Sequence, residues 1–376
     1  MNKTKIAILH LLPLEYYPPV TNLADLLAEV PDAKVLLLSS HNPAGREVYR
    51  NSGVSIRRVV YPAYVKGALQ KLFAFLSMFF STTLALIRFK PEVLLYYEPH
   101  SAYPAYLYTR FLSRKSRLFI HYHEYYAPEE FWAPHMQSVR YFHQKECSWL
   151  YRKAEWISQT NPRRLELFAA DYPFIPRERL HTLANYPPKS WYRRAQSKSP
   201  SEKVRLLYLG ALSFENTYIR PMVEFVLAHP DIVQLDIYSY NMHSDVAQYL
   251  ISLQSSAVRL FREGVSYHRI PDLAAGYDIG LILYNSHNAN YALNAPNKLF
   301  EYLACGLTVW VPEGQEGCRP YVQSGMNPEV RAVDFERLSM TLLLERSDTK
   351  RNSDIVPYSC NCEYQSLFLA MGLEGR

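Results

Sequence analysis

Cysteine, glycine and long apolar runs are all scarce in this sequence, and each scarcity removes a class of protein. The five cysteines among 376 residues, Cys147, Cys305, Cys318, Cys360 and Cys362, are odd in number and lack paired zinc-type spacing. That argues against a disulfide framework or a metal site and fits a reducing cytoplasm. The loop LPLEYYPPVTNLADLL, residues 12–27, lacks the three-glycine fingerprint of dinucleotide binders, which speaks against a nicotinamide or flavin enzyme. The first residues run into a polar, proline-rich loop without a small-residue cleavage site, so no signal peptide is expected. Low-complexity tracts and internal repeats are absent as well.

The longest apolar segment, Leu72 to Ile87, is sixteen residues and carries serines and threonines, short of the roughly 18 needed to span a bilayer. The pattern predicts a buried helix. Its flanks hold Lys66, Lys71, Arg88 and Lys90. They fit peripheral contact with an anionic membrane, and more plainly the solvated ends of a helix. Neither sign of charge dominates: 41 basic and 35 acidic residues give a net +6. Such a balance suits a polyanionic small ligand or a membrane surface, and with no DNA or RNA recognition motif present a nucleic-acid partner is not expected.

What the chain does have is enough apolar residues, 48%, to bury two cores, and a strand–helix alternation that runs through it twice. In the first half the strand candidates are Lys5–Leu12, Lys34–Ser39, Ser55–Val60, Val93–Tyr97, Leu118–His123 and Trp156–Thr160. In the second they are Arg205–Leu209, Gln234–Tyr238, Val258–Phe261, Ile279–Tyr284 and Thr308–Val311. Between them NYPPKSWYRRAQSKSPSEK, residues 185–203, is basic and broken by Pro187, Pro188 and Pro200, as a linker is. The fold class expected is α/β, with two Rossmann-like domains divided near residue 190 and ligands beyond the carboxyl ends of the strands.

The most informative segment is NAPNKLFEYLACGLTVWVP, residues 294–312. Pro296 suits a helix start with Asn294 or Ala295 before it, Gly306 suits the stop, and Leu307–Val311 reads as a buried strand. Lys298 and Glu301, three apart, share a helical face. A helix N-terminus and a lysine charge suit a diphosphate, and a carboxylate suits the vicinal hydroxyls of a ribose. A surface ion pair is the plainer reading of the same two residues.

This stretch resembles the donor-binding helix of family-four glycosyltransferases of the GT-B fold, where a proline, a lysine and a glutamate precede a small-residue turn and a buried strand. The likeness extends over most of the second half. RLLYLGALSFENTYIR resembles the family's first strand and phosphate loop, and REGVSYHRIPDLAAGYDIGLILYN its base-binding loop and following strand. The resemblance implies an acceptor-binding domain over 1–190 and a donor-binding domain over 191–355 facing it across a cleft. It also implies a tail, 356–376, whose helix packs back on the first domain through Leu367, Phe368, Leu369 and Met371. By the same resemblance Gly210 permits close approach of the donor, Val265 lies near the base and Glu301 holds the ribose. Asn216 and Asn294 join the donor site, and Arg220 and Lys298 clamp the diphosphate in place of a metal ion. The sequence departs from the family at Leu293, which stands where the first of two acids seven residues apart is usual. Asn288, Asn290 and Asn294 nearby offer amide contacts, or are simply a polar loop. Arg220, the one basic residue in GALSFENTYIR, fits a helix surface as well as a clamp.

In the first half, FIHYHEYYAPEEF, residues 119–131, places His121, His123 and Glu124 at the carboxyl end of a strand. His123 is the candidate general base toward an acceptor hydroxyl, with Glu124 orienting it or binding the acceptor; a structural histidine is the competing reading. Glu15 and Asn22 after the first strand, and Glu98 and His100 after the fourth, are candidates for the acceptor side; Asn22 fits a helix cap equally. His143 and Cys147, four apart, are expected to pack in a core. The activity implied is transfer of a sugar from a nucleoside diphosphate sugar to a glycan or lipid-linked glycan, retaining and without a cofactor or metal, in cytoplasmic assembly of a cell-surface polysaccharide or glycoconjugate. An epimerase on the same scaffold, or a non-catalytic partner that binds the nucleotide sugar, are the rival readings.

Overall fold

The computed structural model describes residues 3–41, 48–60, 62, 65–194, 202–287, 289–323, 328–344 and 358–373. Asn288 and linker residues 195–201 lie outside them, as does the start of the expected tail at residues 356 and 357. The chain divides into two compact units: Met1–Ala184 with Cys360–Arg376, and Asn185–Ser359. The first unit gives way to the second at Asn185, a few residues before the expected 190, and the returning segment begins at Cys360 rather than 356.

The first unit runs β1 (Thr4–Pro13), α1 (Pro18–Ala28), β2 (Ala33–Ser40), β3 (Val54–Val59), α2 (Ala68–Phe89), β4 (Val93–Tyr97), α3 (Glu98–Leu107), β5 (Arg117–Tyr122), α4 (Gln137–Lys145), α5 (Tyr151–Lys153), β6 (Trp156–Gln159), α6 (Pro162–Asp171) and β7 (Leu180–Thr182). The second runs α7 (Ser190–Arg194), β8 (Val204–Leu209), α8 (Ile219–Ala228), β9 (Val233–Tyr238), α9 (Ser244–Ser252), β10 (Val258–Phe261), α10 (Ile270–Ala274), β11 (Ile279–Leu281), α11 (Ala289–Ala292), α12 (Asn297–Ala304), β12 (Thr308–Pro312), β13 (Val330–Val333) and α13 (Thr341–Leu344). The last segment carries α14 (Cys360–Glu363) and α15 (Gln365–Ala370).

Both sheets are parallel, which accounts for strands that are apolar on both faces rather than alternating. In the first, the order is β3-β2-β1-β4-β5-β6-β7, with Ile8 opposite Leu37 on one side and Leu95 on the other. In the second it is β10-β9-β8-β11-β12-β13, with Leu206 between Leu235 and Ile279. Strand order therefore reverses between β1 and β4, and again between β8 and β11. Connections leaving these neighbours diverge to opposite faces, so each unit has a crevice for a ligand at the carboxyl ends of that pair.

Several expectations need correction. The edge strands β7 and β13 were not anticipated; three and four residues long, they give too little periodicity to read. β11 stops at Leu281 instead of Tyr284. The largest departure is α2: it is 22 residues long, and of the apolar run expected to be buried, only Met78, Ala85 and Leu86 are, together with Thr82. Leu72, Phe73, Leu76 and Phe80 face solvent. In the returning segment Leu367 and Met371 enter the first unit's core beside Cys360 and Tyr364, and the Tyr364 hydroxyl donates to the Pro19 carbonyl at 3.1 Å. Leu369, expected to pack, is 65% exposed.

Candidate functional site

In the second unit the crevice lies between the segment following β8 and the segment following β11, and backbone bonds lace the two together. The Tyr218 N–H donates to the Leu283 carbonyl at 2.8 Å, the Asn285 N–H to the Asn216 carbonyl at 3.0 Å, and the Asn285 amide to the Glu215 carbonyl at 2.5 Å. Asn216, expected at the donor, thus serves through its backbone to hold this loop. Gly210 opens it. A Cβ there would meet the Tyr208 hydroxyl at 3.0 Å and the Tyr284 hydroxyl at 3.2 Å, so the chain's own tyrosines already make this a tight position. Tyr284 in turn stacks on Tyr291, with ring centroids 5.1 Å apart.

α12 enters this crevice from its amino end. Pro296 is the extended residue before the helix rather than its first turn, and no side chain caps it, so Asn294 is not a cap. Gly306, at φ +82°, closes the other end in the left-handed conformation that glycine adopts freely. Asn294 donates its backbone N–H to the Tyr291 carbonyl, and its own carbonyl faces the Cys318 thiol at 3.6 Å. Glu301 is 1% exposed, and its carboxylate is held 2.5 Å from the Lys298 ammonium. The pair is therefore no loose surface contact: a buried carboxylate needs a partner, and Lys298 is the partner this helix supplies. Leu293 is buried in the core and Val265 is half-buried beside α10.

Arg220 stands apart from that pair. It sits in the first turn of α8, among the helices that cover one face of the sheet, and its guanidinium lies 4.3 Å over the Phe214 ring and 5.2 Å over Tyr249. α12 belongs to the layer on the other face. The expected clamp residues approach the strand ends from opposite layers, and no contact joins them among the described residues.

Two positions that the sequence did not announce hold α12 in place. The Tyr302 ring lies on Gly280 of β11, where a Cβ would come within 2.3 Å of it, and the Tyr302 hydroxyl accepts the Leu209 N–H at 2.9 Å. Gly317 packs under the Leu293–Asn294 backbone so closely that a Cβ there would lie 2.3 Å from the Leu293 carbonyl oxygen. Only the glycine itself is visible in sequence, and nothing there says what lies against it.

In the first unit the crevice between β1 and β4 is lined by rings and one unusual carboxyl group. Glu98 opens α3 at φ +60°, a conformation a side chain adopts only at a cost. Its Oε1 accepts the N–H groups of His123 at 2.5 Å and Glu124 at 3.3 Å; its Oε2 is buried without a hydrogen-bond partner among the described residues. Burial, reinforced by the nearby Glu124 carboxylate, pushes its pKa up to about 8. The His123 ring stacks on Tyr97 at 5.1 Å, with His121 edge-on at 5.0 Å and His10 at 6.1 Å. Its carbonyl accepts from the buried Arg164 guanidinium at 2.5 Å. Burial lowers the pKa of His10, His100 and His121, so these rings are neutral near pH 7. His10 was not anticipated because it sits inside β1, indistinguishable there from a core residue.

The other expected acceptor residues divide. Glu124 is exposed and accepts from the Tyr126 hydroxyl at 2.5 Å. Glu15 is committed to structure: its Oε1 takes the Arg58 guanidinium at 2.7 Å and the Tyr49 N–H at 3.0 Å, tying the loop after β1 to β3. Asn22 is buried within α1 and does not cap it; Tyr17 stands at that position. His143 does more than pack. Its ring stacks on Phe131 at 3.9 Å, its Nδ1 is 3.0 Å from the fully buried Glu146 carboxylate, and its Nε2 faces Tyr172 and Cys147. Among the described residues no cluster of three or more His, Cys, Asp or Glu is arranged to hold a metal ion.

Two doubly wound parallel sheets, each reversing strand order once, with the final helices returned to the first unit, define the GT-B fold. Solved structures carry the same architecture. A glycosyltransferase from Rickettsia africae ESF-5 matches with a TM-score of 0.68 at 11% identity, over 99% of this chain and 98% of that one. The apo form of the lipopolysaccharide outer core galactosyltransferase WaaB matches with a TM-score of 0.62 at 14% identity, over 98% and 99%. A UDP-N-acetylglucosamine 2-epimerase matches equally well, with a TM-score of 0.62 at 12% identity, over 100% and 98%. At these identities the likeness is one of fold. No family model and no curated protein matches the sequence.

Proposed function

We propose that this protein is a glycosyltransferase that moves a sugar from a nucleoside diphosphate sugar to a hydroxyl of a glycan or lipid-linked glycan. The setting is cytoplasmic assembly of a cell-surface polysaccharide or glycoconjugate. The observation that carries the reading is the buried Glu301–Lys298 pair on α12, the helix that enters the crevice of the second GT-B unit. A ribose offers Glu301 two hydroxyl donors in exchange for Lys298, and Lys298 then turns its charge to the diphosphate beside the free N–H groups of the helix start. Arg220 adds to the clamp by leaving its two rings.

In the transfer, the bond from the anomeric carbon to the diphosphate oxygen breaks and its electron pair leaves with the nucleotide. The acceptor oxygen bonds to that carbon, and its proton passes to a base, for which His123 is the candidate. Lys298 and the helix start balance the departing charge without a metal ion. Retention of configuration follows from the resemblance to family four. The buried Leu293 at the position of a usual acid favours a second reading, a non-catalytic nucleotide-sugar binder.

Calorimetric titration without added metal against UDP, GDP, ADP and dTDP tests the donor site. One nucleotide is expected to bind, and Glu301→Ala to lose it; binding to none, or equal binding by the variant, overturns the site. Product analysis then separates the chemistries. A sugar joined to acceptor supports transfer, an epimer formed without acceptor moves the assignment to an epimerase, and tight binding without turnover supports the non-catalytic reading.

A further inference from the structure

Among the described residues nothing covers the outward face of α2, and its chemistry is that of a lipid interface. Leu69, Leu72, Phe73, Leu76, Phe80 and Ile87 are all between 41% and 71% exposed. At about 100° per residue they fall within one stripe about 100° wide. The four buried residues, Met78, Thr82, Ala85 and Leu86, occupy the other side and fix the helix to the first unit. On the neighbouring turn, which packs against α2, Phe111 and Leu112 are also exposed, at 66% and 51%.

The exposed charge at the ends of this stripe is mostly basic. Between Glu47 and Glu92 the sequence has seven arginines and lysines and no acid. Lys66, Lys71, Arg88 and Lys90 are exposed at the two ends of α2, and Arg114 and Lys115 are exposed beside Leu112. We propose that this face of α2, with Phe111 and Leu112, docks the protein in the plane of an anionic lipid bilayer. The apolar stripe enters the acyl boundary and the basic rim meets the headgroups.

Two other occupants fit less well. A second copy of the chain would bring the same basic rim against itself, which like charges oppose. A transmembrane passage has sufficient length, about 33 Å at 1.5 Å per residue. It would, however, strip Met78, Thr82, Ala85 and Leu86 from the first unit, in which they are buried. An in-plane helix keeps that packing and buries the stripe. The proposal does not rest on the donor chemistry, although a lipid-linked acceptor would lie at the same surface.

Co-sedimentation of the full chain with phosphatidylcholine vesicles, with and without phosphatidylglycerol, tests it. The chain is expected to pellet with anionic vesicles and to be released by high salt. Leu76→Glu/Phe80→Glu is expected to weaken binding by more than about tenfold. Leu76→Ser/Phe80→Ser provides a milder variant should the charged pair misfold, and circular dichroism and thermal melting of each show that the chain is folded, whichever way the donor assignment falls. Unchanged vesicle binding by folded variants overturns the proposal, as does failure of the wild type to bind anionic vesicles. A wild-type dimer in light scattering that the variants abolish assigns the face to a second copy instead.

Discussion

The Tyr302 hydroxyl accepts the backbone N–H of Leu209 at 2.9 Å while its ring rests on Gly280, so one side chain joins α12 to two neighbouring strands of the second sheet. Glu301 is the residue before it and Gly210 the residue after its partner. The position of the candidate ribose-binding carboxylate relative to the loop after β8 depends on that phenol.

Two substitutions test this arrangement. Gly280→Ala places a methyl 2.3 Å from the Tyr302 ring, forcing the helix away from β11. Overpacking of this kind costs about 1–3 kcal/mol, and nucleotide affinity is expected to fall with it. Tyr302→Phe keeps the ring and leaves the Leu209 N–H without this acceptor, a loss of about 1–3 kcal/mol. Urea denaturation followed by tryptophan fluorescence reads both; an unchanged midpoint for Gly280→Ala would contradict the packing.

The ion pair on α12 gives a sharper contrast. Lys298→Met leaves the Glu301 carboxylate, whose side chain is 2% exposed, without its cation, and breaking a buried pair from one side costs about 3–5 kcal/mol. Lys298→Met/Glu301→Gln removes both charges and is expected to recover most of that stability, yet to bind nucleotide no better than either single variant. A double variant as unstable as Lys298→Met would show that burial of Glu301 is not what makes the lysine necessary.

His143 adds a titration in the first unit. Burial pulls its imidazolium down, but bonds to Cys147 and Glu146 outweigh it and raise the pKa to about 9. A raised histidine gives its full stabilisation below its ordinary value of 6.5 and loses it as pH rises through 9. Glu146→Gln is expected to weaken that dependence and to lower the His143 titration, followed by NMR, with the Cys147 contact left in place.

The sequence made some of this readable and left the rest to tertiary contacts. Strand–helix alternation appears because parallel strands are apolar on both faces, and α12 is legible because Pro296 and Gly306 bracket it. α2 misled for a physical reason: a helix apolar nearly all round reads as buried, and nothing local says that only Met78, Thr82, Ala85 and Leu86 are covered. Lys298 and Glu301 were visible as a spacing, but not their burial, which depends on the layer around them. Gly280 and Tyr302 are 22 positions apart, and only the register of β11 against α12 makes them one feature. Glu98 was visible as an acid after a strand; its positive φ and its hold on the His123 and Glu124 backbone come from the meeting of β4 with β5.

Glu98 also carries the clearest dependence on pH. Its carboxyl, ordinarily near 4.5, is pushed up to about 8, chiefly by burial and then by Glu124. An acid raised in the folded chain contributes its full stabilisation below its unfolded value, where both states hold the proton. That contribution is lost as pH rises through about 8, because the unfolded chain ionises first. Each pH unit across which only the folded chain keeps the proton is worth about 1.4 kcal/mol, an upper scale for a group whose surroundings relax. Glu98→Gln preserves the shape and an oxygen for the His123 N–H while removing the titration. The variant is expected to match the wild type near pH 4.5, to be the more stable of the two above pH 8, and to show a flatter profile between. Urea midpoints across that range decide it: parallel profiles would mean that Glu98 is ionised in the folded protein, and that its Oε2 meets a charge rather than offering a proton to the crevice.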